Sequence, residues 1–582
     1  MIEHQVGSLQ VERIDDIPLL IAILYRMGVP ALLDEYYPRH GNWKGELSFG
    51  TVACVWLAYI VSRGDHRLSR LQKWVSGHRQ MLESCLSSAV RELDFQDDRL
   101  AWMLERLFES EQFSSFEAAL NGNLLRVYQL ERQQVRLDTT TSKTFAGVTA
   151  EGLFQYGQSK DHRADLAQVK LGLASLDPLG LPLVTKVVSG NRADDVMYLP
   201  LIEETQASLG RGGKTYIGDT KMDARQIRGS LVKSGDYYLC PLSLKQVSGS
   251  ELAELIERGV SDEASLTRVW AEKGGQREIV ANGYSYQQAL EVEVKGEQIC
   301  WNEQRVVVRS EGFARQQANV LEKRVERARV ACLKLNERKR GKKRLSGVEL
   351  EKAVAGILEK EAVVGVVRVE IVTQRQERIK RKCLERAAEV VLEEDSRVVA
   401  EVDEEALERV KARVGWRVYA TNQLEWGVAE VVETYREQYL IERGFARLKG
   451  QSLGLQPHYL QLEERVGGLL HLLVIGLRLL TLVEHQVRAE LLLGENPEAQ
   501  KLKGLYRGQP QKSTARPTSE SLLEAFEGIS LVWQEMRGEV RCFITPLNEL
   551  QKRILNLLKL SPYLYEGLAS DFREPNLFLS EI

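Results

Sequence analysis

YREQYLIERGFARLK, Tyr435 to Lys449, is the stretch around which the chain is organised. Read as a helix, it sets Tyr435, Tyr439, Glu442, Ala446 and Lys449 along one face at three- and four-residue steps, with Gln438 and Phe445 beside that stripe. An acid flanked by tyrosines before it and a lysine two turns after it suits a metal-binding carboxylate with groups ready for phosphate. The same pattern also fits an amphipathic surface helix whose Glu and Lys are solvated. The remainder of the chain has to decide between them.

Upstream, the order of elements supplies a context. From Gln134 the pattern turns to strands: Val135-Arg136-Leu137 runs into Asp138 and a polar run, Thr139 to Ser142. Val169–Leu176 and Leu181–Ser189 are β-rich and joined by Asp177-Pro178-Leu179-Gly180, a turn sequence. A helix over about 195–209, a strand 215–218 ending on Asp219, a helix 222–232 and a strand 237–242 follow. Three strands, a helix, a strand, a helix and a strand is the order of a ribonuclease-H-like α/β domain. Residues 243–413 interrupt it with strand-like pieces and a helix from Arg315 to about Leu335. Leu321–Leu345 holds eleven Lys/Arg against three Glu, peaking at Arg338–Arg344, and a second cluster is Arg378, Lys380, Arg381 and Lys382. Such runs fit a solvated face or a phosphate contact equally well.

Trp416–Thr421 then predicts a strand, and Glu425 to Lys449 one continuous helix. An apolar helix spans about 460–493, and after a Gly/Pro/Ser-rich linker two helices, about 521–536 and 547–560, close the chain. Residues 1–130 read as helices with apolar positions at helical spacing. Within them Arg63, His66, Arg67, Arg70 and Lys73 form a basic strip, suited to solvated charge or to DNA ends. The expected organisation is therefore a helical N-terminal domain (1–130), a split catalytic domain (131–242 and 414–493), an inserted module (243–413) and a C-terminal region (494–582).

Bulk properties constrain less. The 582 residues carry a net charge of -3, which neither favours nor opposes nucleic acid because local basic faces suffice. Seven scattered cysteines, with no CxxC and no Cys/His cluster, fit reduced thiols and no zinc site. The polar, acidic N-terminus is unlike a signal peptide, and the apolar run 469–483 is interrupted by His471 and Arg478. A cytoplasmic protein without membrane spans is expected.

Three carboxylates occupy special places: Asp138 after a first strand, Asp219 after a fourth, and Glu442 in the late helix. Neighbouring strand ends can aim two aspartates at one point, and a helix packed across that edge can bring a third acid. Two Mg²⁺ or Mn²⁺ ions, hard cations that prefer oxygen, need such a donor set. No Walker loop or nucleophile elbow is present.

On these features the chain resembles bacterial insertion-sequence transposases of the DDE type, closest to the group called insertion-sequence family four and its sixteen-thirty-four branch. The resemblance is carried by LDTTT around Asp138, SKDHRADLAQVKLGL from Ser159, SGNRAD from Ser189, IGDTKM around Asp219, and the Tyr435–Gly450 helix followed by LLHLLVIGLRLLTLVEHQVR. It implies that Asp138, Asp219 and Glu442 are catalytic metal ligands, and that Tyr435 and Lys449 contact DNA near the scissile phosphate. Arg436, Lys160 and Arg163 are further DNA-contact candidates, while His162 and His471 suit structural roles. It implies cleavage at element ends and joining of 3′-hydroxyls to target DNA, on double-stranded DNA and as a homodimer. Two rival readings are a DNA-binding protein without catalysis and a nuclease that never rejoins. The family signature has arginine three residues after the tyrosine; here Gln438 stands there, and glutamine cannot grip phosphate with a guanidinium fork.

Overall fold

The computed structural model describes residues 9–158, 163–273, 276–337, 345, 347–380, 389–456, 458, 460–536 and 539–569. The chain divides into two compact units, one of Met1–Leu239, Glu291–Ile299 and Tyr435–Ile582, the other of Cys240–Leu290 and Cys300–Thr434.

The first unit begins with a short strand, β1 (Leu9–Arg13), and then seven helices: α1 (Ile17–Arg26), α2 (Val29–Tyr36), α3 (Phe49–Arg63), α4 (Leu68–Ser76), α5 (Arg79–Leu86), α6 (Asp97–Leu107) and α7 (Ser110–Val127). The α3 helix starts where the Ser48 side chain accepts a hydrogen bond from the Thr51 amide, and it stops at Gly64, whose φ of 61° ends the turn. Its residues Val52 to Ile60 are all buried.

The strand-rich region runs β2 (Gln134–Thr144), β3 (Ala167–Leu176), β4 (Leu181–Ser189), α8 (Asp195–Leu209), β5 (Thr215–Ile217), α9 (Arg225–Lys233) and β6 (Tyr237–Pro241). This is the element order expected from the hydrophobic pattern. The strands lie in the order β4-β3-β2-β5-β6, with β2 antiparallel to β3, β3 antiparallel to β4, and β2, β5 and β6 mutually parallel. One detail differs from expectation. The β2 strand does not end at Asp138 but continues through Thr139–Thr144, paired with β3 out to Thr144↔Ala167. β-branched threonines suit a pleated strand, and Thr139, Thr140, Thr141 and Thr144 are buried there.

The second unit holds α10 (Gly249–Ser261), β7 (Thr267–Lys273), most of β8 (Gln276–Val294) and β9 (Glu297–Ser310), α11 (Glu311–Lys334), α12 (Val348–Glu361), β10 (Val367–Lys380), β11 (Glu389–Val402), α13 (Glu404–Ala412), β12 (Trp416–Thr421) and the start of α14 (Val428–Arg436). The β10–β11 ribbon is a long antiparallel ladder from Val367↔Val402 to Lys380↔Glu389. Leu321, Val325 and Ala328 of α11, Leu350 of α12, and Val367 and Val398 of the ribbon share one apolar core. The basic run Arg338–Arg344 lies outside the described residues, as do Arg381 and Lys382.

The chain re-enters the first unit with α15 (Tyr439–Lys449) and α16 (Glu463–Leu492), followed by β13 (Leu502–Lys503), β14 (Ser513–Thr514), α17 (Ser519–Glu524), β15 (Ser530–Met536), β16 (Glu539–Ile544), α18 (Glu549–Leu557) and α19 (Tyr563–Glu566). The helix expected over 521–536 is only its first turn and a half. Helix α17 ends at Glu524, and after a turn that closes on Gly528, at φ 90°, Ser530–Met536 becomes the middle strand of a β1-β15-β16 sheet. Helix α16 is long and apolar enough to cross a membrane, but its most apolar window is wholly buried inside the protein. Two glycines bring it close to α6: a Cβ at Gly468 would lie 1.9 Å from the Leu104 carbonyl oxygen.

Candidate active site

Parallel pairing of β2 with β5 ends at Arg136↔Ile217. Two residues further on each chain stand Asp138 and Asp219, so the register itself sets the two acids side by side where β5 gives out. Adjacent strands lie about 4.8 Å apart. Asp138 Oδ1 accepts from the Thr139 amide at 2.7 Å. Asp219 Oδ1 accepts from the Lys221 amide at 2.8 Å and from the Tyr198 hydroxyl at 2.6 Å. Burial pushes the Tyr198 phenol well above its usual range, and the negative charges of Asp219 and Asp138 push it the same way. Tyr198 therefore stays a neutral donor to Asp219. Sequence reasoning missed it, since nothing marks one tyrosine on α8 as facing the strand ends.

The third acid sits differently. The continuous helix expected over 425–449 is broken in two at Glu437-Gln438, between α14 and α15. At the break the Gln438 amide turns back to the Tyr435 carbonyl at 3.1 Å and the Leu440 amide to Glu437 at 2.9 Å. A side chain from some 300 residues upstream meets the break. Arg136, fully buried on β2, places Nη1 3.5 Å from Gln438 Oε1, Nη2 3.6 Å from Glu437 and Nε 2.5 Å from Asp177. Gln438 therefore meets a guanidinium coming from the strand. Burial raises the Asp177 carboxyl to about 7, and Arg136 opposes that rise.

Within α15, Glu442 and Lys449 remain on one face seven residues apart, while Tyr435 is separated from them by the break. Helix α15 packs on β2 and α16. Its back is fastened by arginines: Arg443 and Arg447 both pair with Glu484 of α16, and Arg447 Nε reaches Glu520 at 2.9 Å. Burial opposes ionisation of Glu520, but Arg447 overrides it and holds the carboxyl at about 2. Glu442 itself is exposed. Among the described residues, no three acidic, histidine or cysteine side chains converge closely enough to hold a metal ion. The β2/β5 register sets Asp138 beside Asp219, and Glu442 stands on a helix that packs against β2.

The remaining candidates are dispersed. Arg436 is exposed, and Tyr435 and Lys449 are half-buried. Arg163 is engaged by Asp165 through two bonds of 2.7 Å. Lys160 and His162 lie outside the described residues. The two upstream motif blocks are tied by an ion pair, Lys170 Nζ to Asp194 at 2.7 Å. His471 is buried, stacked on Phe113 at 3.8 Å, with Nδ1 2.7 Å from the Leu107 carbonyl.

As a donor set, the three acids are hard oxygen ligands and fit Mg²⁺ or Mn²⁺. Both bonds to Asp219 fall on a single oxygen, and Glu442 stands on the neighbouring helix with a carboxylate that can rotate.

No curated protein matches the chain. The family described as Transposase DDE domain matches residues 131–479, from the start of the strand-rich region to the middle of α16. That span contains Asp138, Asp219, the interrupting unit and the Glu442 helix. It covers well over half of the sequence, and the chain belongs to the DDE transposase family.

Proposed function

We propose that the protein is the transposase of a bacterial insertion sequence, of the family-four clan and its sixteen-thirty-four branch, built on a ribonuclease-H-like catalytic domain. The observation that carries the reading is the β2/β5 register, which sets Asp138 beside Asp219 inside the family match. Asp138, Asp219 and Glu442 are the residues that would hold two divalent ions. When bound, such ions supply Lewis-acid activation of a water or a 3′-hydroxyl and stabilisation of the leaving oxygen.

The chain's own residues do the rest. The Tyr198 hydroxyl and the Lys221 amide fix the direction of Asp219. Lys449, Tyr435 and Arg436 act on the DNA side as positive or hydrogen-bonding contacts to phosphate. Arg136 is a positioning residue: it holds the start of α15, where Gln438 replaces the signature arginine. The working state is a homodimer on two element ends, in the cytoplasm.

The test uses a duplex carrying the inverted repeats that flank the gene, with Mg²⁺ or Mn²⁺. Nicked ends together with strand-transfer products are the expected outcome. Nicks without joining identify a nuclease, and salt-sensitive binding without nicks identifies a DNA-binding protein that has lost catalysis.

A further inference from the structure

The first unit also contains a basic cleft, which shares Lys449 with the proposed DNA side of the acidic site. A cleft of about 1120 Å³ is lined by Arg63, Arg67, Arg70 and Lys73 on one wall and by Lys449 with Gly450, Gln451 and Gln456 on the other. Five cations face it against one carboxylate, Asp65. Asp65 is spent on its neighbours, 2.7 Å from Arg67 and 3.9 Å from Arg70. Hydrogen bonding to Arg67 keeps its carboxyl below the usual range. The side chains of Arg63, Arg67 and Arg70 are 37%, 34% and 60% exposed, so the positive charge is presented to solvent.

The cleft is built into the backbone. Gly64 and Gly454, both at positive φ, meet along its floor: a Cβ on Gly454 would lie 2.4 Å from the Gly64 carbonyl oxygen, and one on Gly64 2.4 Å from that of Gln451. Only glycine permits that approach. The two walls are therefore held in register, one from the N-terminal helices and the other continuing α15.

Position gives the cleft its meaning. Lys449 lies on the same face of α15 as Glu442, seven residues on, or about 10 Å along the axis. That is about three base-pair steps of duplex DNA at 3.4 Å each. We propose that this cleft seats the phosphate backbone of double-stranded DNA about three base pairs from the position acted on at the acidic site. The basic strip of α3 and α4 supplies one side and Lys449 the other. This rests on the DNA substrate proposed above and adds which surface holds that DNA.

The experiment measures binding of the full chain to a fluorescent 30-base-pair duplex between roughly 50 and 200 mM salt, with EDTA present so that cleavage plays no part. Two variants are compared with the wild type. R70Q/K73Q removes two exposed cations. S69E puts a carboxylate into the cleft at the first turn of α4, where it favours the helix, so a folding defect cannot mimic the result. Neutralising two phosphate contacts lowers the slope of log K against log[salt] by about 2. We expect that change in R70Q/K73Q, with at least about a tenfold loss of affinity, and a loss in S69E with melting no lower than wild type. Wild-type slope and affinity in both variants would overturn the cleft assignment, as would tenfold tighter binding of a duplex RNA of the same sequence. A wild-type chain that binds no DNA contradicts the transposase reading itself, which keeps the two failures distinct.

Discussion

The strand-borne and helix-borne halves of the acidic site are stabilised in different ways. Asp138 lies on β2 and Asp219 two residues beyond the end of β5, and they are held directly, by the Thr139 and Lys221 amides and the Tyr198 hydroxyl. Glu442 is exposed, and the structure fixes its helix from behind while leaving its carboxylate to solvent. Both halves nevertheless stand on one element. Arg478 of α16 reaches Glu117 at 2.5 Å and the Pro182 carbonyl at 2.9 Å, under β4. Glu484, six residues later on α16, receives Arg443 and Arg447 of α15. The difference teaches that two of the proposed ligand positions follow the register of the sheet, while the third depends on a helix anchored by charge.

That contrast can be broken at several points. The largest effect is expected beneath the strands. R478M leaves Glu117, which is fully buried and also bonded to the Thr185 amide and hydroxyl, without its cation. A loss of about 3–5 kcal/mol in urea unfolding is expected, and adding E117M should recover much of it. A loss below about 1 kcal/mol would mean that the sheet does not rest on this pair.

His471 is neutral in the fold because burial lowers its pKa to about 4, against the hydrogen bond between Nδ1 and the accepting Leu107 carbonyl, which favours the charged form. Its folded value lies below the unfolded one of about 6.5. Its contribution is therefore fully present above pH 6.5 and lost as the pH falls through 4, about 3 kcal/mol in all. H471N should flatten the fall in melting temperature across that window.

Under the helix, E484Q removes the anchor of α15 while Arg447 keeps Glu520. The expected cost is about 2 kcal/mol. DNA nicking should fall further than this loss accounts for at a temperature where the variant is folded, while R478M/E117M at matched stability should keep its nicking rate. Equal behaviour of the two would erase the distinction between halves.

Much of the strand half was legible in the sequence. The turn Asp177–Gly180 and the alternating apolar runs gave the element order, because strand periodicity is local information, and the aspartates following Leu137 and Gly218 stood out as candidates. The helix half was less so. Nothing in Glu437-Gln438 announces a break, and the Arg136 that contacts it comes from a strand distant in sequence. Ser530–Met536 misled for a related reason, since a short apolar run reads equally as helix or strand until its partner, here β1, is known. Tyr198 and the basic cleft were invisible as sites because their parts meet only in three dimensions, although Arg63, Arg67, Arg70 and Lys73 already stood out as a strip.

The most direct test of the account is the rate of divalent-dependent nicking of an element-end duplex by the wild type and by D138A, D219A and E442A, each shown to bind that duplex in EDTA. The account predicts that each single variant binds as the wild type does and loses at least about a thousandfold in rate, roughly 4 kcal/mol of barrier. Any one of the three retaining more than roughly a tenth of the wild-type rate, a barrier change under about 1.4 kcal/mol, would contradict it.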